Sequence, residues 1–243
     1  MAQLSGLSGV SSLSYADLGV TPIQRETVQD RIHRQLRDLL MRGRFQPGQP
    51  LKIQEVADLF GTSTQPVREA IRQLVAENAL EALPNRSARV PIFDRERLED
   101  LRRARIAIEG LAAELATARV TKADIKLLET LVDEESAADD ADQAELSVAQ
   151  NQRFHFTFYR FSGSTVLLPI IEGLWLQIGP FIRKSAEYFD ASGGRGAEFH
   201  VALLSGLKRR DAARVRRALE ADINRSCDLA RDAMFPNTDE RAA

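Results

Sequence analysis

Hydrophobic residues recur at three- and four-residue intervals along most of the chain, which is the spacing of an α-helix with one buried face. The first such segment is predicted to run from Thr21 to about Arg42, and Gly43 ends it. Its buried stripe consists of Val28, Ile32, Leu36, Leu39 and Leu40. Residues 1–20, rich in Ser, Gly and Leu, have no sustained period and are predicted to form a mobile tail.

The segment that begins at Ser63 is predicted to be a helix with two different faces. Its apolar face is formed by Val67, Ala70, Ile71 and Leu74, and its polar face by Gln65, Arg68 and Arg72. Ser63 can cap the helix, and Pro66 fits its first turn, where backbone N–H groups have no helical partner. Such donors suit phosphate oxygens, and Arg and Gln can form paired hydrogen bonds to guanine and adenine edges. The pattern fits a helix that binds DNA or, alternatively, a solvated surface helix.

The flanks of this helix favour DNA binding. Residues 53–60 form a short amphipathic segment, and Gly61 with Thr62 supplies a tight turn, which is the spacing of a helix-turn-helix motif. Downstream, two short extended runs at 80–83 and 88–92 are joined by four turn residues. They are predicted to form a β-hairpin wing.

Beyond the hairpin the pattern is helical. Helices are predicted at about 95–119, 122–138, 142–162, 165–190, 196–209 and 211–234. The predicted fold class is therefore mainly α. A winged helix-turn-helix domain is expected over residues 21–92, followed by an all-helical bundle of about six helices over residues 95–235. The connection between them is too short to act as a free tether.

Composition and charge indicate the compartment and the partners of this chain. It has 243 residues, of which 44% are hydrophobic, enough for two packed domains. It has no run of 18 apolar residues, no secretory signal pattern and a single cysteine, so we expect a cytoplasmic protein without a membrane partner. The net charge is −2, but residues 21–90 carry 11 Lys and Arg against 8 Asp and Glu. So small a basic excess favours a homodimer that presents two DNA-binding faces.

The residues of the first domain form a characteristic set. They are Phe45-Gln46-Pro47-Gly48, Leu51, Ala57, Gly61, Ser63, the run 66–71, Leu74, Asn85-Arg86 and Ala88-Arg89-Val90. This set resembles the GntR family of bacterial transcription regulators over roughly residues 25–92. The resemblance implies binding to a double-stranded DNA operator through Ser63, Thr64, Gln65, Arg68, Arg72, Arg86 and Arg89. Thr64 stands where the family commonly has Arg, which is expected to change the contact made there.

Four blocks of the bundle form a second set. They are Arg105 to Glu109, Asn151 to His155, Glu198-Phe199-His200, and Asp211 to Asp222. They resemble the ligand-sensing domain of the FadR-like branch of the GntR family, called the FCD domain. In many of its members an Asp and three His from these blocks bind a metal. The corresponding positions here hold Asn151, His155, His200 and Asp222.

These four residues have the chemistry of a transition-metal site. Asn151 and His155 are four residues apart and lie on the same side of a helix, while the other two come from separate helices that can converge. Two imidazoles and one carboxylate suit Zn²⁺, Mn²⁺, Ni²⁺ or Fe²⁺, with Asn151 as a weaker fourth ligand. The alternative is that the same groups bind an organic ligand directly through hydrogen bonds.

Arg105 and Tyr159 are the predicted effector contacts. A guanidinium on a core-facing helix favours a carboxylate, and in similar proteins an Arg at this position lies near the effector. Glu109, one turn later, is the alternative partner of Arg105. Tyr159 belongs to an aromatic cluster that is typical of core packing, although one or two of its members can line a pocket.

Two functions fit these features. The favoured hypothesis is a homodimeric, ligand-responsive repressor that binds a palindromic operator and senses a small organic acid. The alternative is a non-haem metal enzyme, because two His and one carboxylate also hold iron in oxygenases. No nucleophile motif, phosphate-binding loop or cofactor fingerprint accompanies that ligand set in the sequence, so we expect no enzyme.

Overall fold

The computed structural model describes residues 26–84, 87–140, 144–192 and 197–235. Within these ranges the chain is mainly helical with one small sheet, which confirms the predicted fold class. The first part contains α1 (Val28–Met41), β1 (Pro50–Leu51), α2 (Ile53–Phe60), α3 (Thr64–Ala76), β2 (Glu81–Ala82) and β3 (Ala88–Arg89). The tail predicted at residues 1–20 lies outside the described residues.

The first helix begins later than the sequence pattern predicted. The Thr27 hydroxyl accepts a hydrogen bond from the backbone N–H of Asp30, and the Asp30 carboxylate accepts one from the backbone N–H of Thr27. This reciprocal capping box satisfies donors that a helix start leaves open. The helix therefore begins at Val28 and not at Thr21, because Thr27 is extended; residues 21–25 lie outside the described residues.

Left-handed backbone turns set the position of α3. Gly61 ends α2 with a φ of 59°, a conformation that side chains disfavour. Asn78 takes the same conformation after α3, with a φ of 58°, as expected for the residue that best replaces Gly there. The chain then enters an antiparallel sheet with the strand order β1-β3-β2. Strand β1 pairs with β3 and lies at one edge of this sheet, beside the predicted hairpin. The sequence pattern had not predicted β1.

The second part of the chain is a helical bundle. Its helices in the described residues are α4 (Arg95–Arg119), α5 (Lys122–Asp140), α6 (Ala144–Arg160), α7 (Leu167–Ser192), α8 (Ala197–Lys208) and α9 (Ala212–Met234). Side chains of Asp94 and Asp211 cap α4 and α9. Helix α9 packs against α4, α7 and α8. No described helix combines the length and apolar character needed to cross a membrane.

Two hydrophobic cores meet at α7. Trp175 belongs to the core of the bundle, whereas the next residue, Leu176, belongs to the core of the winged part together with Leu40 of α1. Three residues later, Gly179 lies so close to α1 that a Cβ atom built there would be 2.2 Å from the backbone oxygen of Leu40. The two parts of the molecule are therefore joined by a packed interface.

Candidate functional site

Helix α3 buries one face and exposes the other. Val67, Ala70 and Leu74 are fully buried in the winged core, whereas Gln65 and Arg72 are exposed. Ser63 occupies the N-cap position, but its side chain makes no capping hydrogen bond. The N–H groups of the first turn, where half-buried Thr64 lies, are thus left suited to an anion.

Three of the polar side chains predicted to contact DNA form hydrogen bonds with carboxylates in the described part of the chain. Glu69 Oε1 accepts hydrogen bonds from Gln65 Nε2 at 3.0 Å and from Arg72 Nη1 at 2.8 Å. In the wing, Arg89 Nε donates to Glu81 Oε2 at 2.9 Å. Ion pairs this exposed contribute little free energy in water, so phosphate oxygens can replace the carboxylates. Arg86, the other predicted wing contact, lies outside the described residues.

Arg68 lies in a different environment from the other arginines of α3. Its Nη1 atom is buried and has no hydrogen-bond partner in the described structure. A groove of about 210 Å³ between α3 and the wing is lined by Arg68, Arg72 and Ser87 together with apolar side chains. A buried donor without an acceptor costs free energy, so an acceptor from outside would be stabilising here.

His155 of α6, His200 of α8 and Asp222 of α9 come together inside the bundle. His155 Nε2 is 3.1 Å from both Asp222 Oδ2 and His200 Nε2, and His200 Nε2 is 4.0 Å from Asp222 Oδ2. Both histidines are buried. One candidate ligand atom from each residue lies within 4.8 Å of the others, a spacing that one metal ion can bridge. Asn151 is half-buried one turn before His155.

Hydrogen bonds behind the cluster determine which nitrogen of each histidine carries its proton. The Tyr159 hydroxyl donates to Glu109 Oε2 at 2.5 Å, because a carboxylate can only accept. Its oxygen then accepts from Nδ1–H of His155 at 3.1 Å. Similarly, Nδ1–H of His200 donates to Glu135 Oε2 at 2.6 Å. With both Nδ1 atoms committed to these hydrogen bonds, the two Nε2 atoms face Asp222 and one another, each as a hydrogen-bond donor when protonated and as a possible metal ligand when not.

Nitrogen and oxygen atoms this close to one another are joined by shared protons or by a metal ion. Burial raises the pKa of Asp222, but its hydrogen bond with His155 and the nearby His155, His200 and Arg105 outweigh burial and hold that pKa below its ordinary value. Asp222 therefore adds a negative charge to two imidazoles. This donor set fits a divalent transition metal, and Tyr159 and Glu135 are typical of the groups that orient metal-binding histidines.

Arg105 is paired with Glu109 but retains one unsatisfied donor. Its Nε donates to Glu109 Oε1 at 2.7 Å and its Nη2 to Glu109 Oε2 at 3.3 Å, so the alternative pairing considered from sequence is present. Burial lowers the pKa of Arg105, but the charge of Glu109 raises it above its ordinary value. Its Nη1 is buried without a hydrogen-bond partner in the described structure, and its guanidinium lies 5.1 Å from the ring of Trp175.

Tyr159 lies between these two groups of residues. Burial and the neighbouring Glu109 raise its pKa well above the ordinary value, so the hydroxyl keeps its proton. Because this hydroxyl bonds to both Glu109 and His155, it connects the Arg105 ion pair with the histidine cluster. The two predicted effector contacts, Arg105 and Tyr159, thus belong to one buried polar network.

Glu135 was missed in the sequence analysis. It is 1% exposed and lies on α5 in register with buried Leu128, Leu131 and Val132. A carboxylate in the middle of an apolar helical stripe needs a polar partner, which is the sequence signal that could have identified it.

Two family models match the chain. Residues 28–90 match the model for bacterial regulatory proteins of the gntR family, and residues 100–225 match the FCD domain. The HTH-type transcriptional regulator McbR of Escherichia coli K12 is 30% identical over 191 residues, which cover 78% of this chain and 86% of McbR. The solved structure of E. coli McbR/YncC has a TM-score of 0.79 and 27% identity, covering 85% of this chain and 98% of that one.

Another relative is named as a repressor. The HTH-type transcriptional repressor RspR of E. coli K12 is 24% identical over 214 residues, which cover 88% of this chain and 93% of RspR. McbR and RspR are transcription regulators and not enzymes, so the non-haem enzyme alternative has no support. With both family models matched, this chain belongs to the GntR family of DNA-binding transcription regulators and carries an FCD effector-binding domain.

Proposed function

We propose that this protein is a homodimeric cytoplasmic repressor that releases a palindromic operator when a small carboxylate binds beside a metal ion in its bundle. The observation that carries the effector part of the proposal is the convergence of His155, His200 and Asp222 next to the unsatisfied Nη1 donor of Arg105. A cation and a hydrogen-bond donor in one buried place suit the two oxygens of a carboxylate.

His155, His200 and Asp222 would hold the ion, with Asn151 as a weaker fourth ligand. When bound, the ion would supply a Lewis-acidic position for an effector oxygen. Tyr159 and Glu135 keep the two imidazoles in the metal-binding tautomer through the hydrogen bonds described above.

Arg105 supports a carboxylate effector over a neutral one. Two of its donors neutralise Glu109, which leaves Nη1 as the donor for a ligand oxygen. Tyr159 acts beside it by fixing Glu109 and His155 relative to each other. An acid that reaches both Arg105 and the ion would prefer one arrangement of the bundle, which a switch requires.

Homodimer formation is supported by an exposed apolar stripe on α4. Leu111 and Leu115, one turn apart, are 43% and 37% exposed, and Ala107 and Ala118 are exposed on the same side. Burying this stripe between two copies would place two winged parts on one DNA duplex, since a single part covers one half-site. The repressor assignment is supported by the name of RspR.

DNA binding is proposed to involve Ser63, Thr64, Gln65, Arg68 and Arg72 of α3 and Arg86 and Arg89 of the wing. The exposed N-terminal turn of α3 and the exchangeable partners of Arg72 and Arg89 support this assignment. Footprinting on an operator selected in vitro is expected to show two protected half-sites. A monomer that protects a single half-site would contradict the dimer.

The metal is tested by elemental analysis of the wild type and His200→Ala. We expect about one divalent ion per chain in the wild type and none in His200→Ala, because the variant loses one of three strong ligands. His200→Ala should still bind the operator but no longer release it with a panel of dicarboxylic and sugar acids. Glu198→Ala, at an exposed position on the same helix, is the matched control and should behave as the wild type.

A metal-free wild type that still releases the operator when an acid binds would show that the proposal of a bound metal is wrong. In that case His155, His200 and Asp222 would bind the acid directly. The assignment as a ligand-responsive transcription regulator would remain valid.

A further inference from the structure

Trp175, the one tryptophan of the sequence, lies against the proposed effector site. Its ring centroid is 5.2 Å from that of His155, and the guanidinium of Arg105 lies 5.1 Å from its ring. The residue is 1% exposed, and its indole Nε1 is buried without a hydrogen-bond partner in the described structure.

A buried indole N–H ordinarily has an acceptor, because leaving it without one costs free energy. Here two such donors, Nε1 of Trp175 and Nη1 of Arg105, belong to side chains that are in direct contact. The Nε and Nη2 atoms of Arg105 each donate one hydrogen bond to Glu109. An oxygen-rich ligand that enters beside His155 would supply the acceptors that both residues need.

The residue after Trp175 has its contacts in the other domain. Leu176 is 1% exposed and belongs to the core of the winged part. At Gly179 the same helix touches α1, where an added Cβ would lie 2.2 Å from Leu40 O and 2.7 Å from Met41 Cα. Neighbouring residues of a hydrogen-bonded helix move together, so a displacement of Trp175 is also a displacement of Leu176.

Helix α7 is also linked to the C-terminal end of α3 by ion pairs. Arg37 of α1 contacts Glu172 of α7 at 3.4 Å through Nη2 and Glu77 at 3.2 Å through Nη1. Glu77 is the C-cap residue of α3. Arg37 therefore joins α7 to the helix that is proposed to contact the operator.

We propose that the indole N–H of Trp175 binds an oxygen of the effector and that α7 transmits this binding to α1 and α3 through Leu176, Gly179 and Arg37. This inference rests on the proposed function, because it assigns a donor to the same site. It identifies α7 as the element whose position differs between the operator-binding and operator-releasing arrangements.

The transmission is tested by Gly179→Ala, which forces α7 away from α1, against Gly173→Ala on the same helix, where an added Cβ meets nothing within 4 Å. The probe is Zn²⁺ followed by acetate, the simplest carboxylate, with chloride at matched ionic strength. Binding is followed by the fluorescence of Trp175, and operator affinity by gel shift on the operator selected in vitro. Leu176→Val, which keeps an apolar side chain in the winged core, provides a second route should Gly179→Ala fold poorly.

In the wild type and Gly173→Ala, Zn²⁺ with acetate is expected to change the fluorescence and to weaken operator binding at least about fivefold. Gly179→Ala should keep the fluorescence change and lose the effect on operator binding. Leu176→Val should reduce that effect. Equal weakening in all four proteins would overturn the transmission through α7 and leave the proposed function intact.

The hydrogen bond is tested by Trp175→Phe, which keeps an aromatic ring but removes the N–H. Calorimetry should show unchanged Zn²⁺ affinity and about tenfold weaker acetate binding to the Zn²⁺-loaded protein. Ile171→Val, a buried change one turn earlier on α7, should leave both affinities unchanged. Equal acetate affinity in Trp175→Phe and the wild type would overturn this contact, whereas a wild type that binds neither Zn²⁺ nor acetate would overturn the proposed effector site itself.

Discussion

Polar side chains form exposed pairs on α3 of the winged part but buried pairs in the bundle. On α3, Gln65 and Arg72 share the carboxylate of Glu69 in a position open to water. In the bundle, Arg105 and Glu109 are paired at 3% and 0% side-chain exposure. Exposed pairs exchange partners at little cost, whereas buried polar groups are stable only with fixed partners. The proposed DNA surface can therefore adapt to a long polyanion, while the proposed effector site would accept a ligand that matches its geometry.

The largest effect is expected where the buried network is broken. Glu109→Gln leaves the charge of Arg105 without its partner and should lower the free energy of unfolding by about 3–5 kcal/mol in urea denaturation. Glu114→Gln is the matched control, because Glu114 forms a half-exposed pair with Arg216 at 2.8 Å and its loss should cost about 1 kcal/mol or less. Equal losses in the two variants would remove the distinction between buried and exposed pairs.

A smaller effect is expected next to the proposed metal site. Glu135→Gln weakens the hydrogen bond that orients His200 and should reduce Zn²⁺ affinity by about 10- to 100-fold in calorimetry. Its neighbour Glu134 is half-exposed and pairs with Arg153 at 2.7 Å, so Glu134→Gln should leave the affinity unchanged. Unchanged affinity in Glu135→Gln would show that Glu135 does not orient the ligand.

On the proposed DNA surface, Arg68→Ala is expected to weaken operator binding by about 1–3 kcal/mol in a gel-shift titration at fixed salt. The reason is that the variant removes the buried Nη1 donor beside the groove. Arg209→Ala removes the same charge from an exposed position of the bundle and should have no such effect. Identical affinities for Arg68→Ala and the wild type would mean that α3 does not face DNA as proposed.

The smallest effect should have the opposite sign. Glu69→Gln removes a negative charge between Gln65 and Arg72 and is expected to raise operator affinity by about two- to fivefold at low salt. The gain should shrink as salt is added, because surface charges are screened. A loss of affinity would show that Glu69 is needed to position Arg72.

The fold was largely readable from the sequence, because most helices show their period and their boundaries. The bundle helices lie within two residues of the predicted ranges. The error at the start of α1 arose because the apolar period was given more weight than a local signal. Thr27 followed by Asp30 is a capping pair that marks the start at Val28. Strand β1 has two residues, too few for an alternating pattern to reveal it.

The site was readable only in part. His155, His200 and Asp222 were predicted from their sequence blocks, and the structure brings them together; their function as ligands stays a prediction. Glu135 comes from a helix outside those blocks, and its contact with His200 spans 65 residues. The division of Trp175 and Leu176 between two cores depends on the crossing of α1 and α7, a long-range arrangement that no local pattern encodes.

The participation of α7 in both cores also affects how the molecule folds and how its parts can be recombined. Since full burial of a Leu side chain is worth about 1.5–3 kcal/mol, melting of the bundle would withdraw the packing of Leu176 from the winged core as well. The two parts should then unfold in one cooperative transition. A chimera that joins this winged part to the bundle of another regulator would need an apolar residue in the place of Leu176 and a glycine in the place of Gly179.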